Sequence, residues 1–172
     1  MPSEVERINN IVHRLLDFSK PAPPTFQMTN VCALIDDTLE FLNNEFLKRH
    51  IVIEKNYENQ ATGLKIDPSQ IKQVLLNIIL NAMDAMPKGG KITIKTQTVK
   101  DGTLEIDIAD TGSGISKEHL KHIFDPFFTT KDSGSGLGLS IVHQIIQNHG
   151  GKIEAESEIG NGSVFRIKLP ID

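Results

Sequence analysis

The chain lacks most of what marks a secreted, membrane-spanning or nucleic-acid-binding protein. Cys32 is the only cysteine among 172 residues, so no intrachain disulfide can form and a reducing cytoplasm suits it. No apolar run approaches the ~18 residues a transmembrane helix needs. The start, Met1-Pro-Ser-Glu-Val-Glu-Arg7, has neither the basic opening nor the apolar stretch of a signal peptide. Lys and Arg number 18 against 22 Asp and Glu, a net charge of −4 with the signs interspersed. That argues against a nucleic-acid partner and against a polybasic membrane surface. There is no internal repeat. The length fits one full domain with a short appended element, enough to bury a substantial core.

What is present is a succession of well-punctuated helices and strands. Ile8, Ile11, Val12, Leu15 and Phe18 recur at helical spacing, which predicts an amphipathic helix over 4–19 that needs a partner to cover its apolar face. Pro21-Ala-Pro-Pro24 ends it as a stiff linker. Beyond it, 25–29 reads as a short strand and Asn30 as the cap of a helix through Lys48. Ile51–Tyr57 alternates as a strand. Asp67-Pro68 opens a helix that runs to about Met86 and stops at Pro87-Lys-Gly-Gly90. Residues 91–100 and 103–109 form a hairpin around Asp101-Gly102. A short helix over 116–123 precedes a loop, 124–136, and a helix over 138–149 capped by Gly150-Gly151. A second hairpin, 152–157 with 163–169, turns at Gly160-Asn-Gly162. Helices interleaved with antiparallel strands predict a two-layer α/β sandwich.

Three segments carry chemistry. On the helix from Pro68, a greasy circumference leaves a narrow polar stripe of Gln70, Gln73, Asn77, Asn81 and Asp84, clustered at ~100° per residue. Asn is a poor helix-interior residue. Two of them at i, i+4 are either a solvated edge or amide oxygens for a hard cation such as Mg²⁺. In Leu104–Ile115 a strand delivers Asp110 into Gly112-Ser-Gly114. This is either an ordinary turn or a carboxylate that accepts from an exocyclic amino group while glycines let backbone approach a ring. Finally Phe124-Asp-Pro-Phe-Phe-Thr-Thr-Lys131 runs into Gly134-Ser-Gly-Leu-Gly138. Three phenylalanines are out of place in a solvated loop and are expected to pack as an anchor. The glycines and the following helix N-terminus make an anion site, most naturally for a nucleotide polyphosphate. The loop matches neither a Walker A nor a Gly-x-Gly-x-x-Gly pattern.

In this order and spacing the segments resemble the catalytic, ATP-binding domain of bacterial sensor histidine kinases, within the wider ATPase superfamily of DNA gyrase, MutL and the heat-shock chaperones. Asn77-Ile-Ile-Leu-Asn81-Ala is similar to the N box, Asp110-Thr-Gly-Ser-Gly114 to the G1 box, Phe124–Phe128 to the F box and Gly134–Gly138 to the G2 box. The resemblance covers roughly 25–172. Its wording, Asp84-Ala-Met-Pro87 and Phe-Phe-Thr-Thr-Lys131, sits closest to the nitrogen-regulator and sporulation-kinase branch. It implies a Bergerat-type sandwich: a mixed, mostly antiparallel sheet with helices on one face, preceded by one N-terminal helix. Residues 1–20 then correspond to the second helix of a dimerisation and phosphoacceptor hairpin, 21–24 to a linker, and 25–172 to the catalytic domain.

The resemblance also implies roles. Asn81 binds Mg²⁺, with Asn77 near metal or phosphates. Asp110 contacts the adenine amino group in a pocket shaped by Gly112, Gly114 and Ile115. Phe124, Lys131, Gly134, Ser135, Gly136, Leu137 and Gly138 belong to a mobile lid over the ATP phosphates. Ser163 stands where members carry a threonine facing adenine, and Asp84 where many carry a basic residue. Hydrolytic and serine-kinase relatives place a general-base Glu four residues before the metal Asn. Here that position is Asn77. Neutral imidazole attacks without being deprotonated, so Asn77 favours transfer to histidine over hydrolysis.

The acceptor itself is expected elsewhere. His13, in what resembles the second helix, lacks the acceptor motif and reads as structural or surface. His119 and His122 read as surface residues, and His50, His143 and His149 have no metal-ligand spacing. The chain is therefore expected to be a cytoplasmic piece of a dimeric parent kinase, with a histidine-bearing helical domain and a response regulator as partners. A nucleotide-binding regulatory module without transfer activity is the alternative.

Overall fold

The computed structural model describes residues 21–58, 63–132 and 134–171; the helix expected over 4–19 lies outside them. The elements are β1 (Gln27–Asn30), α1 (Val31–Lys48), β2 (Ile51–Tyr57), β3 (Gly63–Ile66), α2 (Pro68–Asp84), β4 (Gly90–Val99), β5 (Thr103–Asp110), α3 (Lys117–Leu120), α4 (Gly138–Asn148), β6 (Lys152–Glu158) and β7 (Gly162–Pro170). Five strands form the main sheet in the order β2-β4-β5-β7-β6. β2 runs parallel to β4, and every other neighbouring pair is antiparallel.

Alternation along the strands decides which face is covered. Ile92 and Ile94, then Leu104, Ile106 and Ile108, then Phe165, Ile167 and Leu169 are all buried. They meet Val31, Ile35 and Leu42 of α1, most of α2, and Val142, Ile145 and Ile146 of α4 in one cluster. Each fully buried Ile or Leu contributes about 1.5–3 kcal/mol of transfer free energy. The intervening residues make the other face polar. Arg166 grips Asp107 with two parallel hydrogen bonds (2.9 and 3.0 Å). Lys168 bonds Glu154 at 2.9 Å and Lys91 bonds Glu54 at 2.9 Å. Hydrogen bonds from Lys152 and Lys168 hold the Glu154 carboxyl down at about 2. A face laced with exposed charge needs no second helical layer, so the sandwich has two layers, with a mixed sheet as expected.

The helix starts follow local chemistry. Asn30 Oδ1 accepts from Ala33 N at 3.0 Å, capping α1. Asp67 caps α2, accepting from Ser69 N (3.0 Å) and Gln70 N (3.2 Å), with Pro68 in the first turn. Its other oxygen accepts from Thr25 N at 2.9 Å. Burial would raise the Asp67 carboxyl, but these hydrogen bonds outweigh it and hold it below the usual range. The Asp67 N–H in turn donates to Nε2 of buried His149 (3.0 Å), whose Nδ1 lies 2.8 Å from the Ile145 carbonyl. One residue thus ties the chain leaving the proline segment, the start of α2 and the end of α4. Gln70 Nε2 adds a bond to Ala22 O (2.6 Å), so the linker is held against α2.

The structure departs from expectation in five places. β1 covers Gln27–Asn30 and pairs with β3 in a separate two-stranded sheet. No strand was foreseen at Gly63–Ile66, because four residues beginning with glycine carry too little alternation to register. α2 ends at Asp84, before Met86, with Ala85 as its cap. The expected 116–123 helix is one turn, Lys117–Leu120, capped by Ser116 and followed by turns. Phe127 is 43% exposed rather than packed.

Candidate functional site

The polar stripe of α2 faces the lid. Asn77 Nδ2 donates to the carbonyl of Gly138, the first residue of α4, at 3.3 Å. One turn on, Asn81 Oδ1 accepts from Lys131 Nζ at 3.1 Å. Another turn brings Asp84, whose Oδ2 lies 2.7 Å from the same ammonium and whose Oδ1 lies 3.0 Å from Arg49 Nη1. Burial alone would raise the Asp84 carboxyl, but hydrogen bonds from Lys131 and Arg49 more than offset this and keep it low. At this position, where the resemblance calls for a basic residue, an acid recruits the lid lysine instead. The ammonium also tests the site's fit for a divalent cation. Asn81 and Asp84 already turn oxygens toward one positive charge, the donor chemistry that Mg²⁺ requires.

The lid between Phe124 and Leu137 is anchored by aromatic rings at its N-terminal end. The Phe124 ring packs against His143 (centroids 5.6 Å apart), and Phe128 lies between His119 (5.6 Å) and His122 (5.9 Å). Between them Phe127 takes a left-handed backbone, φ 65°, costly for a residue with a side chain. Gly136 (φ 71°) sits so close that a Cβ there would strike the Phe127 backbone. The chain crosses itself at that point, which only glycine permits. Leu137 N bonds Ser135 Oγ at 3.3 Å. α4 starts without a side-chain cap, so its first N–H groups are available to an anion beside Gly134–Gly138 and Lys131.

The other end of the site is built on strands. Asp110 closes β5 opposite Ser163 of β7 and is 7% exposed. Its Oδ1 accepts from Gly112 N at 2.8 Å. Burial raises the carboxyl, and the N–H groups of Gly112 and Ser163 pull it part of the way back. Gly114 has φ 72°, and a Cβ there would collide with the Glu158 carbonyl. The loop it turns is stitched on both sides: Ser113 N to Ala85 O (3.0 Å) and Gly160 N to Ser113 O (2.8 Å). Ile115 N donates to Ser157 Oγ at 2.7 Å.

The fold thus gathers the candidate residues into two groups, both beside the C-terminal half of α2. Asn77, Asn81, Lys131 and Gly138 meet at one; Asp110, Gly112, Gly114, Ile115 and Ser163 surround the other. Arg49, Ser157 and the Asp67–His149 tie were not singled out from the sequence. Arg49 follows a helix as an ordinary basic end residue and Ser157 is a lone hydroxyl in a strand, so neither carries a local signal. His122, a surface candidate, pairs with Asp125 at 2.8 Å. Among the described residues no cluster of three or more His, Cys, Asp or Glu is arranged to hold a metal, and no helix is long and apolar enough to cross a membrane.

This combination of sheet, lid and glycine turns defines a nucleotide-binding domain of one known class. The family described as histidine kinase-, DNA gyrase B- and HSP90-like ATPase matches residues 66–172, and the chain belongs to it. Sporulation kinase C of Bacillus subtilis is 39% identical over 98% of this chain and 40% of its own length. Sensor histidine kinase ZraS of Klebsiella oxytoca is 36% identical over 100% of this chain and 37% of its own length. The chain therefore spans well under half the length of these relatives. Among solved structures, the nucleotide-free catalytic domain of histidine kinase ThkA superposes with a TM-score of 0.79 at 34% identity, covering 86% of this chain and 96% of that one. A structure of ThkA in complex with the response regulator TrrA gives 0.79 at 33% identity, covering 98% of this chain and 48% of that one.

Proposed function

We propose that this domain binds Mg-ATP and transfers its γ-phosphoryl group to a histidine outside this chain, for relay to a response-regulator aspartate. The observation that carries the reading is that, among the described residues, no usable base stands beside Asn81. Asn77, one turn earlier, is an amide committed to the Gly138 carbonyl. Asp84, one turn later, is paired with Lys131 and Arg49, which hold its carboxyl low, and the Arg49 pair remains to keep it a poor proton acceptor when Lys131 turns to the phosphates. Water and hydroxyl nucleophiles need a base; a neutral imidazole does not. Its free nitrogen forms the P–N bond while the bond to the β-phosphate oxygen breaks and ADP leaves.

The residues divide the work. Asp110 accepts from the adenine amino group, within the walls set by Gly112, Gly114, Ile115 and Ser163. Lys131 leaves Asn81 and Asp84 for the phosphates, and the Gly134–Gly138 backbone with the α4 N-terminus neutralises them further. Asn81 holds the Mg²⁺ ion, whose charge supports the transferring group. Catalysis then rests on positioning and charge. The named relatives, all sensor or sporulation kinases, and the ThkA complex with a response regulator support this reading. It places the domain in the cytoplasm, in a dimeric parent, with a phosphoacceptor helical domain as its immediate partner.

The test is labelling in trans. With γ-labelled ATP the chain should label a supplied histidine-bearing helical hairpin, and Asn81→Ala should abolish the transfer. ATP binding without labelling would favour a regulatory module, and rapid phosphate release in the absence of a histidine partner would refute the preference for transfer.

A further inference from the structure

The hydroxyl of Ser157 makes three contacts, and their direction can be worked out. Ile115 N lies 2.7 Å away; an N–H only donates, so Ser157 accepts there. The Gly162 carbonyl lies 2.8 Å away; a carbonyl only accepts, so the single Ser157 proton goes to it. Ser163 Oγ lies 2.9 Å away. A hydroxyl has one proton and two lone pairs. With the Ser157 proton already spent, the Ser163 proton must make this third bond.

Ser163 sits opposite Asp110 in the β5–β7 register, on the helix-facing side of the sheet, where both residues are buried. With its proton drawn back to Ser157, Ser163 offers the pocket lone pairs alone. The Asp110 carboxylate, read as the acceptor for a purine amino group, does the same. We infer that Ser157 is a positioning residue for base specificity: by holding the Ser163 hydroxyl as an acceptor, it gives the Asp110 end of the pocket an acceptor-only edge that takes a 6-aminopurine and refuses a 6-oxopurine. This rests on the reading of Asp110 as the purine-amino acceptor given under Proposed function.

A 6-amino group brings two protons to that edge. The 6-oxo group of hypoxanthine or guanine brings another acceptor, leaving lone pairs facing lone pairs. Sites built around a hydrogen-bonding pattern reject the mismatched analogue strongly, because their buried polar groups are left unpaired. Remove the Ser157 hydroxyl, and the Ser163 proton is free to rotate toward the oxo group while the purine N1–H donates to Asp110. Discrimination then falls, even though Asp110 and Ser163 are untouched.

The experiment is calorimetric titration of the whole chain with ADP and with IDP, so that no chemistry contributes. Wild type should bind ADP more tightly than IDP. Ser157→Ala should reduce the ADP-to-IDP affinity ratio about tenfold, the worth of one hydrogen bond, while Ser157→Thr, which keeps the oxygen, should preserve it. If Ser157→Ala does not fold, Ser157→Cys keeps the volume with a weak hydrogen-bonding group and should shift the ratio in the same direction. Equal weakening of both nucleotides, with the ratio unchanged, would overturn the inference and leave Ser157 as a brace for Ile115. Failure of the base-pocket reading looks different. In that case wild type would bind neither nucleotide, or Asp110→Asn would leave the wild-type ratio unaltered, and both readings would fall together.

Discussion

Around Asp110 the polar neighbours are backbone N–H groups and short hydroxyls. Around Asn81 they are long charged side chains reaching in from elsewhere in the fold. Asp110 is 7% exposed, whereas the side chains of Lys131, Asp84 and Arg49 are 43%, 44% and 41% exposed. A buried site made of backbone cannot rearrange without undoing the sheet. An exposed ion-pair cluster can exchange partners at little cost, since such pairs contribute about 0–1 kcal/mol each. The Asp110 end is therefore fixed, and the Asn81 end is a set of contacts that can be re-made, as the proposed roles of base template and phosphate site require.

The sharpest way to break this contrast is Asn81→Ala. Labelling in trans should fall by about 10²–10³-fold or more, in line with the loss of a preorganised charge-stabilising group, while thermal denaturation stays within ~2 °C of wild type. A large drop in melting temperature would mean that the phosphate end is structural after all.

Asp67→Ala tests the scaffold beneath both ends. Losing the α2 cap and the Thr25 bond should cost about 2–3 kcal/mol in urea denaturation. The folded carboxyl lies below its usual value. Its contribution is thus complete above the unfolded pKa of about 3.9 and is lost as pH falls through the folded value. The gap between wild type and Asp67→Ala should narrow below about pH 4; a gap constant down to pH 2 would contradict the assignment.

Asp110→Asn should weaken ADP binding by about 10–100-fold, the range for a hydrogen bond to a charged group. Stability moves the other way. The folded carboxyl lies above its usual value, so the ionised form penalises the fold at neutral pH and the penalty fades as pH falls toward the unfolded pKa. The melting temperature at pH 7 should be no lower than that of wild type. A destabilised variant would show the base end to be held together by this carboxylate rather than merely carrying it.

The smallest effect belongs to Lys131→Ala, which should change stability by under about 1 kcal/mol yet increase hydrogen exchange across 124–137 in the absence of nucleotide. An unchanged exchange pattern would show that the contacts with Asn81 and Asp84 do not order the lid.

Much of this was legible in the sequence because it is written in local periods. The alternation of Leu104, Ile106 and Ile108 makes a half-buried strand, Asp67-Pro68 starts a helix, and Asn77 and Asn81 share a stripe because four residues make just over one turn. A strand near β1 was legible, but β3 and its pairing with β1 were not, since β3 is four residues long and draws its stability from a partner distant in the chain. Phe127 was misjudged for a related reason: its exposure follows from a backbone crossing with Gly136, which no residue pattern announces.

By itself, then, the sequence determined most of the elements, with their caps and turns, and pointed to the side chains that carry chemistry, because these follow from propensities and hydrophobic spacing over a few residues. Only the tertiary structure decided that Lys131 bridges to Asn81 and Asp84, 50 and 47 residues away, that His149 secures the start of α2 across 82 residues, and that the Ser157 and Ser163 hydroxyls meet at 2.9 Å. Those relations depend on directions and distances between elements. They are set when a single apolar cluster closes around α2 and fixes everything attached to it.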